Sequence, residues 1–112
     1  MIREIEVLTP CIQFFENQEE RVAMKFLYLL EILGTIKIVH SHFIKKVKGS
    51  PFYELRITAN NAYRVIVFPL DHFNFSECTR AICLHAFIKR TNKDYSKAIT
   101  QSKKLLDEYL KN

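Results

Sequence analysis

The chain has 112 residues, 48% of them apolar, with two glycines and a formal charge of +5 at pH 7. A chain of this length buries roughly 60 to 70% of its unfolded surface in one core, so one domain over residues 1–112 is expected and a disordered tail is excluded. The longest apolar run, Phe26 to Leu30, stops at Glu31, far short of a membrane span, and Met1-Ile2-Arg3-Glu4 has no apolar signal region, which predicts a cytoplasmic protein without a membrane partner.

Residues Ile2 to Leu8 alternate weakly and predict a first strand. Thr9-Pro10 supplies a cap residue followed by proline, a start signal for a short helix through Phe14 and Phe15. Asn17 with Glu20 three residues on resembles a capping box, and Val22, Phe26, Leu29, Leu30 and Leu33 recur at helical spacing until Gly34 ends the second helix. Both helices should cover the apolar face of a sheet. Ile36, Ile38 and Val39 suit a short edge segment, and the basic stretch HSHFIKKVKGSP closes on turn residues. His40 and His42 lie two apart but have no third ligand at a matching spacing, so they read as exposed polar residues and no metal is expected.

The stretch FYELRITANNAYRVIVF, Phe52 to Phe68, reads as a β-hairpin with chemically different faces. Tyr53, Leu55, Ile57, Tyr63, Val65 and Val67 occupy one side at period two; Glu54, Arg56, Arg64, Ile66 and Phe68 occupy the other. A three-residue loop, Ala59-Asn60-Asn61, sets Thr58 against Ala62 and Arg56 against Arg64, with asparagine tolerating the left-handed backbone such a turn uses. A one-residue slip would bury Arg64 among the aliphatic side chains at a cost of several kcal/mol and is excluded. The two guanidinium groups should therefore emerge together, although like charges face to face cost stability, and a local rule broken at one place marks a candidate site.

Pro69 to Glu77 reads as a loop and Thr79 to Lys89 as a strand. Its even residues Ile82, Leu84, Ala86 and Ile88 should face the core with Val65 and Val67; its odd residues, including His85, Phe87 and Lys89, should join Arg56 and Arg64. Asp94 caps a last helix with the stripe Tyr95, Ala98, Ile99, Ser102, Leu105, Leu106, Tyr109 and Leu110. Cys11, Cys78 and Cys83, odd in number and without CxxC spacing, read as reduced, partly buried thiols.

Charge is unevenly spread. Phe43 to Phe68 carries Lys45, Lys46, Lys48, Arg56 and Arg64 against Glu54 alone, and Cys78 to Lys93 carries Arg80, Lys89, Arg90 and Lys93 with no acid. Cations for phosphates beside aromatic faces for splayed bases suit single-stranded RNA, although the solvated outer face of an antiparallel sheet is polar too.

The order strand, two helices, basic turn, Tyr53-Glu54-Leu55-Arg56, Tyr63-Arg64-Val65, Leu84-His85-Ala86-Phe87-Ile88-Lys89-Arg90-Thr91 and closing helix resembles the RelE/HigB-type toxins of bacterial toxin-antitoxin systems, most closely the phage-derived HigB-like branch. The resemblance implies a small α+β domain with an antiparallel or mixed sheet, two N-terminal helices on one face and a C-terminal helix. It implies metal-free, cofactor-free cleavage of messenger RNA, usually on the ribosome, and inhibition by a small antitoxin, expected to be a helix-turn-helix protein. Arg56, Arg64 and Lys89, with His85, would be the catalytic residues. Lys45, Lys46, Lys48, Phe87, Arg90 and Tyr95 would bind RNA. The Asn-Asn-Ala turn and Asp94-Tyr95 depart from the family pattern. Two other readings stay open: a ParE-like toxin that blocks DNA gyrase, for which the basic face is superfluous, and an inactive interaction domain.

Overall fold

The computed structural model describes residues 1–112. In chain order it has β1 (Glu4–Val7), α1 (Thr9–Glu16), α2 (Glu20–Thr35), β2 (Ile44–Lys46), β3 (Tyr53–Thr58), β4 (Ala62–Pro69), a 3-10 turn (Phe75–Glu77), β5 (Arg80–Ile88) and α3 (Lys93–Lys111). The strands form one sheet ordered β1-β5-β4-β3-β2, in which only the β1–β5 pair is parallel. This is the α+β class that the resemblance implies, and of its two sheet forms, antiparallel or mixed, it is the mixed one.

The register of the β3–β4 hairpin is the expected one, with Arg56 opposite Arg64 and Thr58 opposite Ala62. Its turn differs. Neither asparagine adopts positive φ; Ala59 N–H donates to the Asn61 carbonyl, and the Tyr63 hydroxyl donates to Asn60 Oδ1 at 2.8 Å. The β2–β3 connection does use the left-handed region, at Gly49 with φ 76°, and this turn brings Lys45, Lys46 and Lys48 back beside β3.

Helices cover both faces of the sheet. Phe15 from α1 and Val22, Phe26, Leu29 and Leu33 from α2 pack on Leu55, Ile57, Tyr63, Val65 and Val67. On the other face, Ala98 and Leu106 of α3 pack on Phe52, Ile66, Ile82 and Leu84. The second face is thus half core, which is why Tyr63 to Val67 are all buried and why β4 reads as a continuous apolar run broken only by Arg64.

Strand β5 departs from strict alternation. Ile66 pairs with His85 and Val67 with Cys83, leaving Leu84 as a bulge. An extra residue reverses the face of everything beyond it. Ala86 stays on the α1/α2 side and His85 and Phe87 on the Arg64 side, as expected. Before the bulge the sides swap: Ala81 and Cys83 enter the α1/α2 core, while Ile82 and Leu84 lie under α3. All three cysteines are free and buried, and burial pushes the Cys11 thiol up to about 12.

Several boundaries shift for identifiable reasons. Leu8, not Thr9, precedes α1 as its cap. Asn17 closes α1, its side chain donating to the Gln13 carbonyl, and α2 begins after Glu19 without a side-chain cap, so the capping box does not form. Gly34 lies inside the last turn of α2, where its carbonyl accepts the N–H groups of Ile2 and Arg3 and where a Cβ would meet the Arg3 carbonyl oxygen at 3.3 Å. Ile36 to Val39 form no strand. The guanidinium of buried Arg3 accounts for this, because it donates to the carbonyls of Ile36 and Lys37, and also to those of Leu33, Ser76 and Cys78. With those carbonyls engaged, the edge strand is β2 instead. No helix is long and apolar enough to cross a membrane.

Candidate active site

Strand β3 carries Glu54 and Arg56 on one face, and the ladder sets Arg64 of β4 directly opposite Arg56. Two guanidinium groups so placed repel, and Glu54 relieves the conflict. Its Oε1 lies 3.2 Å from Arg56 Nε and 3.7 Å from Arg64 Nε. The expectation of two free arginines on an open surface is therefore corrected. The Arg64 side chain is 7% exposed and that of Arg56 33%. Arg64 is covered because the start of α3 crosses it: Nε donates to the Tyr95 hydroxyl at 3.2 Å and Nη1 to the Tyr63 carbonyl. Its Nη2 makes no hydrogen bond within the protein, yet it is not sealed from solvent. Burial pushes the Tyr95 phenol up; the Arg64 hydrogen bond opposes that shift and the Glu54 carboxylate adds to it. Tyr95 is accordingly protonated at neutral pH.

In front of this cluster lies a cavity of about 510 Å³ lined by Lys45, Lys46, Val47, Lys48, Glu54, Arg56, Asn92 and Tyr95. Lysine 45 reaches it because the β2–β3 ladder places it opposite Glu54. The N-terminus of α3 at Asn92 adds the positive end of the helix dipole. Within α3, Asp94 is not the cap residue; from the first turn its carboxylate accepts the N–H groups of Arg90 at 2.7 Å and Thr91 at 2.9 Å.

Those amides hold the Asp94 carboxyl below its usual range. A lowered carboxyl pKa means that the stabilisation is complete above the ordinary aspartate value, about 4, and is lost as pH falls through the lowered one. Amide-exchange protection at Arg90 and Thr91 is therefore expected to be constant at neutral pH and to collapse under acid, and Asp94→Ala should lack it at every pH. Equal protection in the variant would show that the clasp is not what fixes the start of α3.

The other sequence candidates lie apart from this cavity. His85 and Phe87 line a separate one of about 350 Å³ with Asp94, Lys97 and Gln101. Phe87 stands edge-on to Tyr95 at 5.5 Å, between the two. Burial holds the His85 imidazole below its ordinary value, so it is neutral at pH 7. Lys89 follows β5, half-buried, its N–H donating to the Ala62 carbonyl. Arg90 is exposed. His40 and His42 engage each other through the His42 N–H and His40 Nδ1.

Residues 13–107 match the family described as phage derived protein Gp49-like (DUF891). The chain belongs to the phage-derived Gp49-like family. Among curated proteins no sequence matches this Gp49-like chain. Its fold is that of the RelE toxin. A mutant of E. coli toxin RelE in the free state superposes with TM-score 0.61 at 17% identity, covering 89% of this chain and 97% of that one. RelE in the intact E. coli RelBE toxin-antitoxin complex gives TM-score 0.56 at 13% identity over 80% of this chain and 99% of that one. RelE bound to a peptide of the antitoxin RelB gives 0.56 at 15% identity, with 88% and 95% covered.

The residue that sequence reasoning left out of the Gp49-like site is Glu54. Its signal was present: it lies two residues before Arg56, hence on the same face, and is the only acid among five cations from Phe43 to Phe68.

Proposed function

We propose that this chain is the toxin of a type II toxin-antitoxin pair, in the HigB-like branch of RelE-type toxins, and that it cuts messenger RNA in the cytoplasm, on the ribosome, without a metal or other cofactor. A small antitoxin, in this reading a helix-turn-helix protein, holds it inactive; the solved RelBE toxin-antitoxin complex supports an antitoxin partner and leaves its fold open. The reading rests on one observation above all: a single carboxylate, Glu54, sits between two arginines beside a protonated phenol, in a cavity walled by three lysines.

In such cleavage the 2′-oxygen forms a bond to the adjacent phosphorus as the bond to the 5′-oxygen breaks. Glu54 accepts the 2′-hydroxyl proton and Tyr95 donates one to the departing 5′-oxygen. Arg56 faces the phosphate, its planar fork suited to two oxygens at once. Arg64 stands behind Glu54 and Tyr95, fixing both and adding positive charge. Lys45, Lys46 and Lys48 hold the RNA backbone. Lys89 and Arg90 contact RNA farther along, and His85, outside this cavity, takes no proton-transfer step.

The test is induction of wild type and Glu54→Gln in cells, with message ends mapped by primer extension. Wild type should cut inside translated codons, and the variant about a hundredfold or more slower, as for loss of a general base. Undiminished cutting by Glu54→Gln would remove Glu54 as the base. Blocked DNA supercoiling without cut messages would replace RNA cleavage by gyrase inhibition.

A further inference from the structure

The loop after β4 presents an aromatic pair to solvent. Phe73 is 84% exposed and His72 stacks on it, ring centroids 4.7 Å apart at 24°. A lone exposed aromatic is unremarkable on a floppy loop, but this loop is pinned. Tyr53 Oη donates to the Phe73 carbonyl at 3.4 Å and accepts the Phe75 N–H at 3.2 Å. His72 Nδ1 accepts the Asn74 N–H at 2.9 Å, which fixes the plane of its ring. Asp71 ties the loop to the start of β5 through Thr79 and Arg80. The backbone is thus organised to hold two rings out of the core.

Beside the pair is a cavity of about 310 Å³ with Lys46, Pro51, Phe68, Leu70, His72 and Phe73 on its walls. Lys46 also lines the Glu54 cavity, so the two open side by side. Tyr53, which holds the Phe73 carbonyl, is the β-ladder partner of Lys46 and the chain neighbour of Glu54. A flat apolar platform, one shared cation and a cationic groove next door are what an unpaired nucleotide asks for: a stacking face for its base and a charge for its phosphate.

We propose that the His72–Phe73 pair is a second RNA subsite, stacking an unpaired base of the message outside the nucleotides held at Glu54, with Lys46 bridging the phosphate between them. This rests on the RNA-cutting function proposed above. Stacking is uncharged and sequence-tolerant, so the subsite would strengthen binding without selecting a base by its hydrogen-bonding edge.

The test titrates wild type, Phe73→Ala, Phe73→Trp and Lys46→Gln onto a message blocked against cleavage by 2′-O-methyl groups, free and on programmed ribosomes. Phe73→Ala should weaken binding about 5- to 150-fold, and Phe73→Trp should restore it. Phe73→Ala should leave the slope of log affinity against log salt unchanged, whereas Lys46→Gln should lower it by about 0.7. Phe73 is exposed, and a thermal melt of Phe73→Ala matching wild type fixes any loss on the RNA contact. If wild type binds and Phe73→Ala binds equally well, the subsite is overturned and the cleavage reading stands. If wild type binds no RNA, both fall. Unchanged RNA binding with lost antitoxin binding also overturns the subsite and makes the pair a protein contact.

Discussion

Arg64→Ala is expected to slow cleavage of ribosome-bound message by about a hundredfold or more, the usual consequence of losing one preorganised cationic donor. The effect should appear mainly in kcat, because Arg64 does not line the lysine-walled cavity and acts through Glu54 and Tyr95. The fold should survive, since Arg56 remains 3.2 Å from Glu54 and that carboxylate is not left unpaired. Arg64→Lys should stay slow, because a point charge on a flexible stem cannot hold the phenol and the carboxylate together as the guanidinium does. A second readout separates positioning from simple loss of charge. The Arg64 hydrogen bond is what opposes the upward push of burial and of Glu54 on the Tyr95 phenol. Removing it should move that titration further up, measured as the ultraviolet difference against Tyr95→Phe. Cleavage by Arg64→Ala at the wild-type rate would show that the cluster is structural only.

How much of this was legible in the sequence depends on the range of the interaction. The hairpin register follows from period two and from keeping Arg64 off the aliphatic face of Leu55, Ile57 and Val65, both local, and the ladder agrees down to the Thr58–Ala62 pair. The core side of β4 and the stripe of α3 follow likewise, except that Leu110, in the last turn of the helix, is exposed rather than packed. What escaped is non-local. The Leu84 bulge, which reverses the faces of Ala81, Ile82 and Cys83, leaves alternation intact on both sides of it, so no pattern marks it. The burial of Arg64 depends on where α3 crosses the sheet, and hence on Asp94 gripping the amides of Arg90 and Thr91. The separation of His85 from Glu54 has the same origin: Phe87 and Tyr95 meet between them. Period two could place His85 on the Arg64 face but not say which side of Tyr95 it would occupy.

Arg3 shows the same limit with a larger energetic consequence, and Arg3→Met is expected to destabilise the fold by on the order of 3 to 5 kcal/mol. In sequence it is one more charge on a weakly alternating strand. In the fold it is 1% exposed, with no carboxylate partner, and it donates to five backbone carbonyls from three segments: the end of α2, the Ile36–Lys37 stretch and the turn before β5. The guanidinium also lies 4.3 Å over the Phe75 ring. Methionine fills much of the volume but donates nothing, so the carbonyls of buried Leu33 and Cys78 lose a partner that water cannot replace, and each such group costs about 1 to 3 kcal/mol before relaxation. For a domain whose whole stability is about 5 to 15 kcal/mol, that is a large share. The urea midpoint should fall sharply with an unchanged slope. Arg21→Met, which removes only the exposed pair with Glu19, should move it by less than about 1 kcal/mol. A midpoint for Arg3→Met within that smaller range would refute the account. None of the groups that Arg3 holds lines the Glu54 cavity, so the folded fraction of Arg3→Met should cut RNA at the wild-type rate, the opposite signature to that of Arg64→Ala.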